Sequence, residues 1–213
     1  MTRLGFAARG LVVLCLFAFA AESRATVVVL HDLEEMTRRS EVIVHARVAD
    51  QRVTREDGRI VTLTDVEVID GLKGAKAGDV LTIYQVGGTL DGMRAWIEGA
   101  HEYQVGEEVV LFAVRHRDRV VSYGVGVGKF RVIYDGAFRR VVEDIHGVVE
   151  MKRGEAGDVR MQTPTPREFP SFERFQDEVR SFVAKGDLPR SMKLQRLEKK
   201  LHVKPDAKSH GGR

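Results

Sequence analysis

The chain has 213 residues, a formal net charge of +3 and one cysteine, Cys15. That cysteine falls in a segment with the features of an export signal, so the mature chain has no internal disulfide, thiolate metal site or cysteine nucleophile. The charge is unevenly placed: residues 26–189 sum to −5 and residues 190–213 to +6, which excludes a uniformly basic nucleic-acid-binding surface.

Arg3 and Arg9 form a positive n-region, and Leu11 to Ala20 is apolar. Small-residue cleavage sites follow at Ala18-Phe19-Ala20 and at Ser23-Arg24-Ala25. The second is preferred because the first lies inside the apolar run. The alternative is an uncleaved membrane anchor, but the run is about half of the ~20 residues needed to span a bilayer. Lipidation of Cys15 is disfavoured by the bulky Leu14 before it. The expectation is a signal peptide over 1–25, export to the periplasm or the exterior, and a mature chain of 188 residues, enough for one domain.

Thr26 to Leu30 is β-prone. Asp32 is placed to cap a short helix through Arg39, with Glu35 at the capping-box position and Leu33 and Met36 facing inward. From Glu41 the pattern turns to period two, Val42, Val44, Ala46 and Val48 forming one strongly apolar face and Ile43, His45, Arg47 and Ala49 the other. Glu56-Asp57-Gly58 predicts a hairpin into a return strand over Arg59 to Ile69. Three further apolar runs follow between glycine corners: Val80 to Val86, Met93 to Ile97, and Val109 to Val114. The last is apolar at every position, as a strand buried on both faces is. Val120 to Val127 and Lys129 to Tyr134 read as strands with glycine bends at 124, 126 and 128. Phe138 to Val142 and Gly147 to Met151 add two more, the last at an edge.

Pro164, Pro166 and Pro170 mark a linker that ends the β region. Ser171 then caps a helix whose Phe172, Phe175, Val179, Phe182 and Val183 share one face. Gly186 stands at its C′ position. Strands this short and closely spaced predict a mainly β fold, a closed or partly open OB-like β-barrel carrying a short N-terminal helix and a C-terminal amphipathic helix. The domain plan is a barrel over 26–160, linker and helix over 161–189, and a basic, disordered tail over 190–213.

No motif specifies a reaction. Glu98, His101 and Glu102 lie close together in a glycine-flanked loop and are candidate divalent-metal ligands, against the plainer reading of a solvated loop. Ser40, Ser122 and Ser171 lack a nucleophile elbow. Gly124 to Gly128 precedes a strand where a phosphate loop precedes a helix, so it is rejected as a cradle. Tyr84 and Trp96 read as core or hairpin packing, and His45 as a surface or rim histidine. The alternative makes Tyr84, Trp96, His45 and Arg47 a ligand face. No cofactor is implied. The basic tail is a solvated tail or a contact for an anionic surface or polymer, and no specific nucleic-acid binding is expected.

Three pieces of the chain, Ser40 to Val48, Val66 to Gly74 and Gly106 to Phe112, resemble the barrel strands of netrin-like and tissue-inhibitor-of-metalloproteinase domains. With Gly87 to Gly92 and Gly128-Lys129-Phe130, they are also similar to small exported bacterial proteins of unknown function. The resemblance covers Ser40 to Tyr134 and implies an OB-type barrel. Inhibition in that family relies on an N-terminal cysteine that reaches the enzyme's zinc, and the mature chain here has none. The leading expectation is therefore a secreted or periplasmic non-enzymatic binding or structural module of the cell envelope, with an unknown protein or envelope component as its partner. The alternative is a metal-assisted hydrolase or a protease-inhibitor-like module.

Overall fold

The computed structural model describes residues 26–28, 30–153 and 159–188. The expected export signal and the basic tail lie outside the described residues. In chain order the elements are β1 (Thr26–Val28), α1 (Leu33–Arg39), β2 (Val42–Glu56), β3 (Arg59–Lys73), β4 (Val80–Val86), β5 (Gly88–Leu90), β6 (Met93–Ala95), β7 (Glu108–His116), β8 (Arg119–Ser122), β9 (Lys129–Asp135), β10 (Phe138–Glu143), β11 (Val148–Arg153), β12 (Val159–Gln162), β13 (Glu168–Phe169) and α2 (Phe172–Ala184).

Two 15-residue strands, β2 and β3, organise the sheet. Asp57 and Gly58 join them with φ of 49° and 75°, the pair of positive angles that a two-residue hairpin turn requires. The β2–β3 register shifts at three places, Ile43/Val44, His45/Ala46 and Val48/Asp50. Bulges of this kind add bend and twist, which lets long strands curl.

The main sheet runs β13-β10-β9-β7-β2-β3-β4-β8, and β8 also pairs with β7. Followed round, β7-β2-β3-β4-β8 returns to β7, so the sheet is partly closed. The β4–β8 contact is parallel, at Ile83 and Val120. β7 forks: its first half pairs with β9 and its second half with β8. Phe112 sits at the fork, its N–H donating to Gly128 O at 2.7 Å and its carbonyl accepting from Tyr123 N–H at 2.9 Å.

One apolar cluster draws on all five strands of the ring, including Val44, Val66, Ile83, Leu111 and Val120, so it is what the ring encloses. The other lies on the outside of β2 and β7 and continues onto β9, where Ile43, Val110, Phe112 and Phe130 meet Phe172 and Phe175 of α2. Asp32 Oδ1 accepts from Glu35 N–H at the start of α1, and Ser171 Oγ accepts from Arg174 N–H at the start of α2.

Several details depart from the sequence reading. The second face of β2 is covered: Ile43 is fully buried and His45 is 3% exposed, because α2 returns to pack on it. The strand expected over 120–127 stops at Ser122, and residues 123–128 make an excursion between β8 and β9. The strand expected at 147–151 joins no edge of the main sheet. It is the middle of a separate sheet, β1-β11-β12, and the short β5-β6 ladder also stands apart. The proline segment does not end the β structure, since β13 pairs with β10. Arg167 fixes it there through two hydrogen bonds to the buried Glu143 carboxylate.

Candidate ligand-binding grooves

The connection from β4 to β7 opens on Gly87 and Gly88, and the second has no room for a side chain. A Cβ on Gly88, at φ 132°, would lie 2.7 Å from Thr62 Oγ1 and 2.8 Å from Val53. The β5–β6 hairpin therefore lies close against β2 and β3, held by Thr62 Oγ1 donating to Gly87 O at 2.8 Å. Beyond it, residues 96–107 have no regular ladder, yet Ala100, His101 and Tyr103 are buried. Tyr103 enters the enclosed cluster and shares a 3.1 Å hydrogen bond with Ser122.

This arrangement leaves a groove on each side of His101. One, of about 310 Å³, lies against β2, β3 and the β5 side, with Gln51, Thr62, Thr89 and Trp96 in its lining. The other, also about 310 Å³, lies toward the 123–128 excursion, with Tyr84, Val121 and Val125. Gln85, Ile97, Ala100 and His101 line both. Gln85 Nε2 donates to His101 O at 2.7 Å, tying the shared wall to β4.

His101 is the electrostatic oddity of the shared wall. Its Nε2 lies 3.0 Å from Val127 O, and because a carbonyl can only accept, Nε2 carries the proton. Nδ1 is then a lone-pair acceptor. Among the described residues it is the one buried side-chain nitrogen or oxygen without a hydrogen-bond partner. Burial pushes the ring pKa down to about 4; the Val127 hydrogen bond opposes this and the Lys129 charge assists. The imidazole is thus neutral at pH 7.

A pH dependence follows from the sign of that shift. Above the ordinary value of 6.5 both folded and unfolded states hold a neutral ring. Between 6.5 and about 4 only the unfolded state takes the proton, so His101 removes stability as pH falls, by about 3 kcal/mol at the acid end. Its ring resonances should stay unmoved from pH 8 to 5.5 in an NMR titration, and a midpoint near 6.5 would contradict the burial.

Behind the wall lies a buried ion cluster. Lys129 is 1% exposed; its Nζ meets Glu107 Oε1 at 2.7 Å, Asp144 Oδ2 at 2.9 Å and the Glu102 backbone carbonyl, over the Tyr103 ring at 4.8 Å. Burial pushes the Asp144 carboxyl up, but the hydrogen bond and charge of Lys129 outweigh it and hold it below its ordinary value. Tyr103 is pushed up by burial. Lys129 thus anchors the 96–107 segment to β9 and to the end of β10.

A larger cleft of about 740 Å³ lies at the start of β7. Its charges are matched internally. Glu108 accepts from Tyr134 Oη at 2.8 Å and meets His45 Nε2 at 2.6 Å and Arg47 at 3.5 Å. Burial pushes its carboxyl up, and the Tyr134 and His45 hydrogen bonds prevail and lower it.

The structure separates the residues singled out by sequence. His45 is buried under Phe172, with ring centroids 4.6 Å apart, so the rim reading is corrected, while Arg47 stands exposed on the Glu108 side. Tyr84 and Trp96 line different grooves, and Trp96 is 43% exposed, so it is not core. Glu98 takes part through its backbone carbonyl, which accepts from Thr26 Oγ1. Glu102 likewise serves Lys129 through its backbone. Among the described residues no three His, Cys, Asp or Glu side chains are placed to hold one metal ion. Thr62, Gln85 and Lys129 carry the site and were not singled out. The Gly87-Gly88 pair and the lysine of Gly128-Lys129-Phe130, set in an apolar strand, were the signals available.

Comparison with known protein families, with curated proteins and with solved structures gives no match for this chain.

Proposed function

We propose that this chain is a non-catalytic binding module, exported to the periplasm or the exterior, whose ligand lies in the grooves beside His101. We also take the ring to be an OB-type barrel. The order β2-β3-β4-β8-β7 with its single parallel contact supports that reading, as does the enclosed cluster. The observation that carries the binding reading is the buried, unpartnered Nδ1 in a wall shared by two grooves. An unmet buried acceptor costs about 1–3 kcal/mol, and a ligand donor recovers that cost on binding. The Arg3/Arg9, Leu11–Ala20 and Ser23-Arg24-Ala25 features support export.

Two experiments test this reading. Mass spectrometry of the exported protein should find Thr26 at the N-terminus, and intact Met1 in that pool would reject cleavage after Ala25. The immobilised protein should retain a component of an envelope extract that a Trp96→Ala/Ile97→Arg variant does not retain. Both substituted side chains are at least 37% exposed, so the variant is expected to fold. Equal retention by both forms, or none by either, would reject the grooves as the binding face.

A further inference from the structure

The hydrogen-bonding sense of the Trp96 groove is fixed by its carbonyl partners. Gln85 must present its amide nitrogen to His101 O, so its Oε1 is an acceptor. Thr62 donates its hydroxyl proton to Gly87 O, which leaves the oxygen as an acceptor. His101 Nδ1 is an acceptor by the same argument at Val127 O. Glu102, also in the lining, carries a carboxylate. Gln85 Oε1, Thr62 Oγ1, His101 Nδ1 and the Glu102 carboxylate are therefore acceptors, beside the donor groups of Trp96, Gln51 and Thr89.

No lysine or arginine is among the described residues that line it. The cations beside it are already engaged: Lys129, bonded to the Glu102 backbone carbonyl, is paired with Glu107 and Asp144, and the Arg94 guanidinium sits over the Trp96 ring at 5.1 Å. A polyanion would meet Glu102 without a cation in the groove to offset it. The complementary ligand is uncharged, donates several hydrogen bonds and offers a flat apolar face to an indole. Among common biological polymers a neutral pyranose glycan has that combination, its hydroxyls donating and its C–H face lying on the ring.

We propose that the Trp96 groove binds a neutral glycan, with one sugar ring against Trp96 and one hydroxyl donating to His101 Nδ1. Nδ1 is covered from solvent, so the hydroxyl reaches it as the wall gives. Residues 96–101 lie in no β-ladder, and Trp96 and Ile97 are 43% and 37% exposed, so the outer part of the wall is open to a ligand. This inference rests on the grooves being the binding face, and names what they take.

Trp96 is the only tryptophan in the chain, so its fluorescence reports this groove alone. The purified protein is titrated with cellohexaose, maltohexaose and N-acetylchitohexaose, and in parallel with oligogalacturonate and a thymidine decanucleotide as polyanions. At least one neutral hexasaccharide should give a saturable change, and no polyanion should. By calorimetry, Trp96→Ala should weaken the neutral ligand about tenfold or more, the scale of a lost aromatic contact, and Arg47→Ala in the other cleft should leave it unchanged. Binding by the polyanions alone, equal glycan affinity in Trp96→Ala, or no response to any neutral hexasaccharide would overturn the glycan assignment. The binding-module reading is judged separately, by the extract-retention comparison, and survives any of these three results.

Discussion

Lys129→Met should destabilise the protein by about 3–5 kcal/mol, the cost of leaving buried charge without its partner. The ammonium is held by Glu107 and Asp144 at 2.7 and 2.9 Å in a site where Lys129 is 1% exposed. Methionine fills much of the same volume but leaves both carboxylates facing an apolar group. Adding Glu107→Gln and Asp144→Asn should therefore restore a large part of the loss, because neutral amides need no counter-charge. The pH profile separates charge from packing. Asp144 is held below its ordinary value by Lys129, so in the wild type it contributes stability above about pH 4 that is lost as pH falls through its folded value. In Lys129→Met that acid loss should vanish, since the lone buried carboxyl now favours its protonated form. Urea unfolding at pH 7 and again at about pH 2, taken as the difference between variant and wild type because His101 also loses stability over this range, reads both effects. A loss under about 1 kcal/mol at pH 7 would mean the cluster is wet and dispensable.

Phe112→Ala should cost about 3–5 kcal/mol, in the range of large aromatic-to-alanine core changes. Phe112 is fully buried, with Phe130 and Phe175 ring centroids at 5.4 and 6.4 Å. Its backbone also holds the fork between β8 and β9, so the cavity opens where three strands and α2 meet. The midpoint in urea should fall with the slope nearly unchanged. A change under about 1 kcal/mol would place β7 at a surface instead of between the enclosed cluster and α2.

How far the sequence carried depends on whether an element's cover is local. In the Val109–Val114 run, apolar residues on both faces stated two buried faces, and the structure supplies both, Leu111 inward and Phe112 outward. Asp57-Gly58 announced its turn because two positive φ angles narrow the choice of residues. In β2 the alternation was read as one buried face because His45 and Arg47 interrupt the second. His45 is nevertheless buried, paired with Glu108 across the strands and roofed by Phe172, which lies far along the chain. Strand periodicity cannot register a helix that returns from that distance.

The candidate site was less legible for the same reason. His101 was visible as a loop histidine beside Glu98 and Glu102, and the sequence read the three as a solvated loop, with shared metal ligation as the alternative. The chain turns instead, using the backbone carbonyls of both glutamates and burying the histidine. Val127, which sets the tautomer of its ring, and Gln85 and Thr62, whose bonds to His101 O and Gly87 O set the sense of the groove, come from the 123–128 excursion, β4 and β3. Trp96 was read as core or hairpin packing because a lone tryptophan usually is; the structure places it just past the end of β6, 43% exposed.

The central claim is that ligand enters beside His101. Its most direct test is an amide-resolved NMR titration of the protein with the component retained from envelope extract. Shift changes should gather on Thr62, Gln85, Gly87, Gly88 and residues 96–103, with the His101 Nδ1 resonance moving as it gains a donor. Changes gathered instead on Arg47, Glu108, Arg131 and Tyr134, with His101 unmoved, would contradict the claim and place binding in the larger cleft at the start of β7.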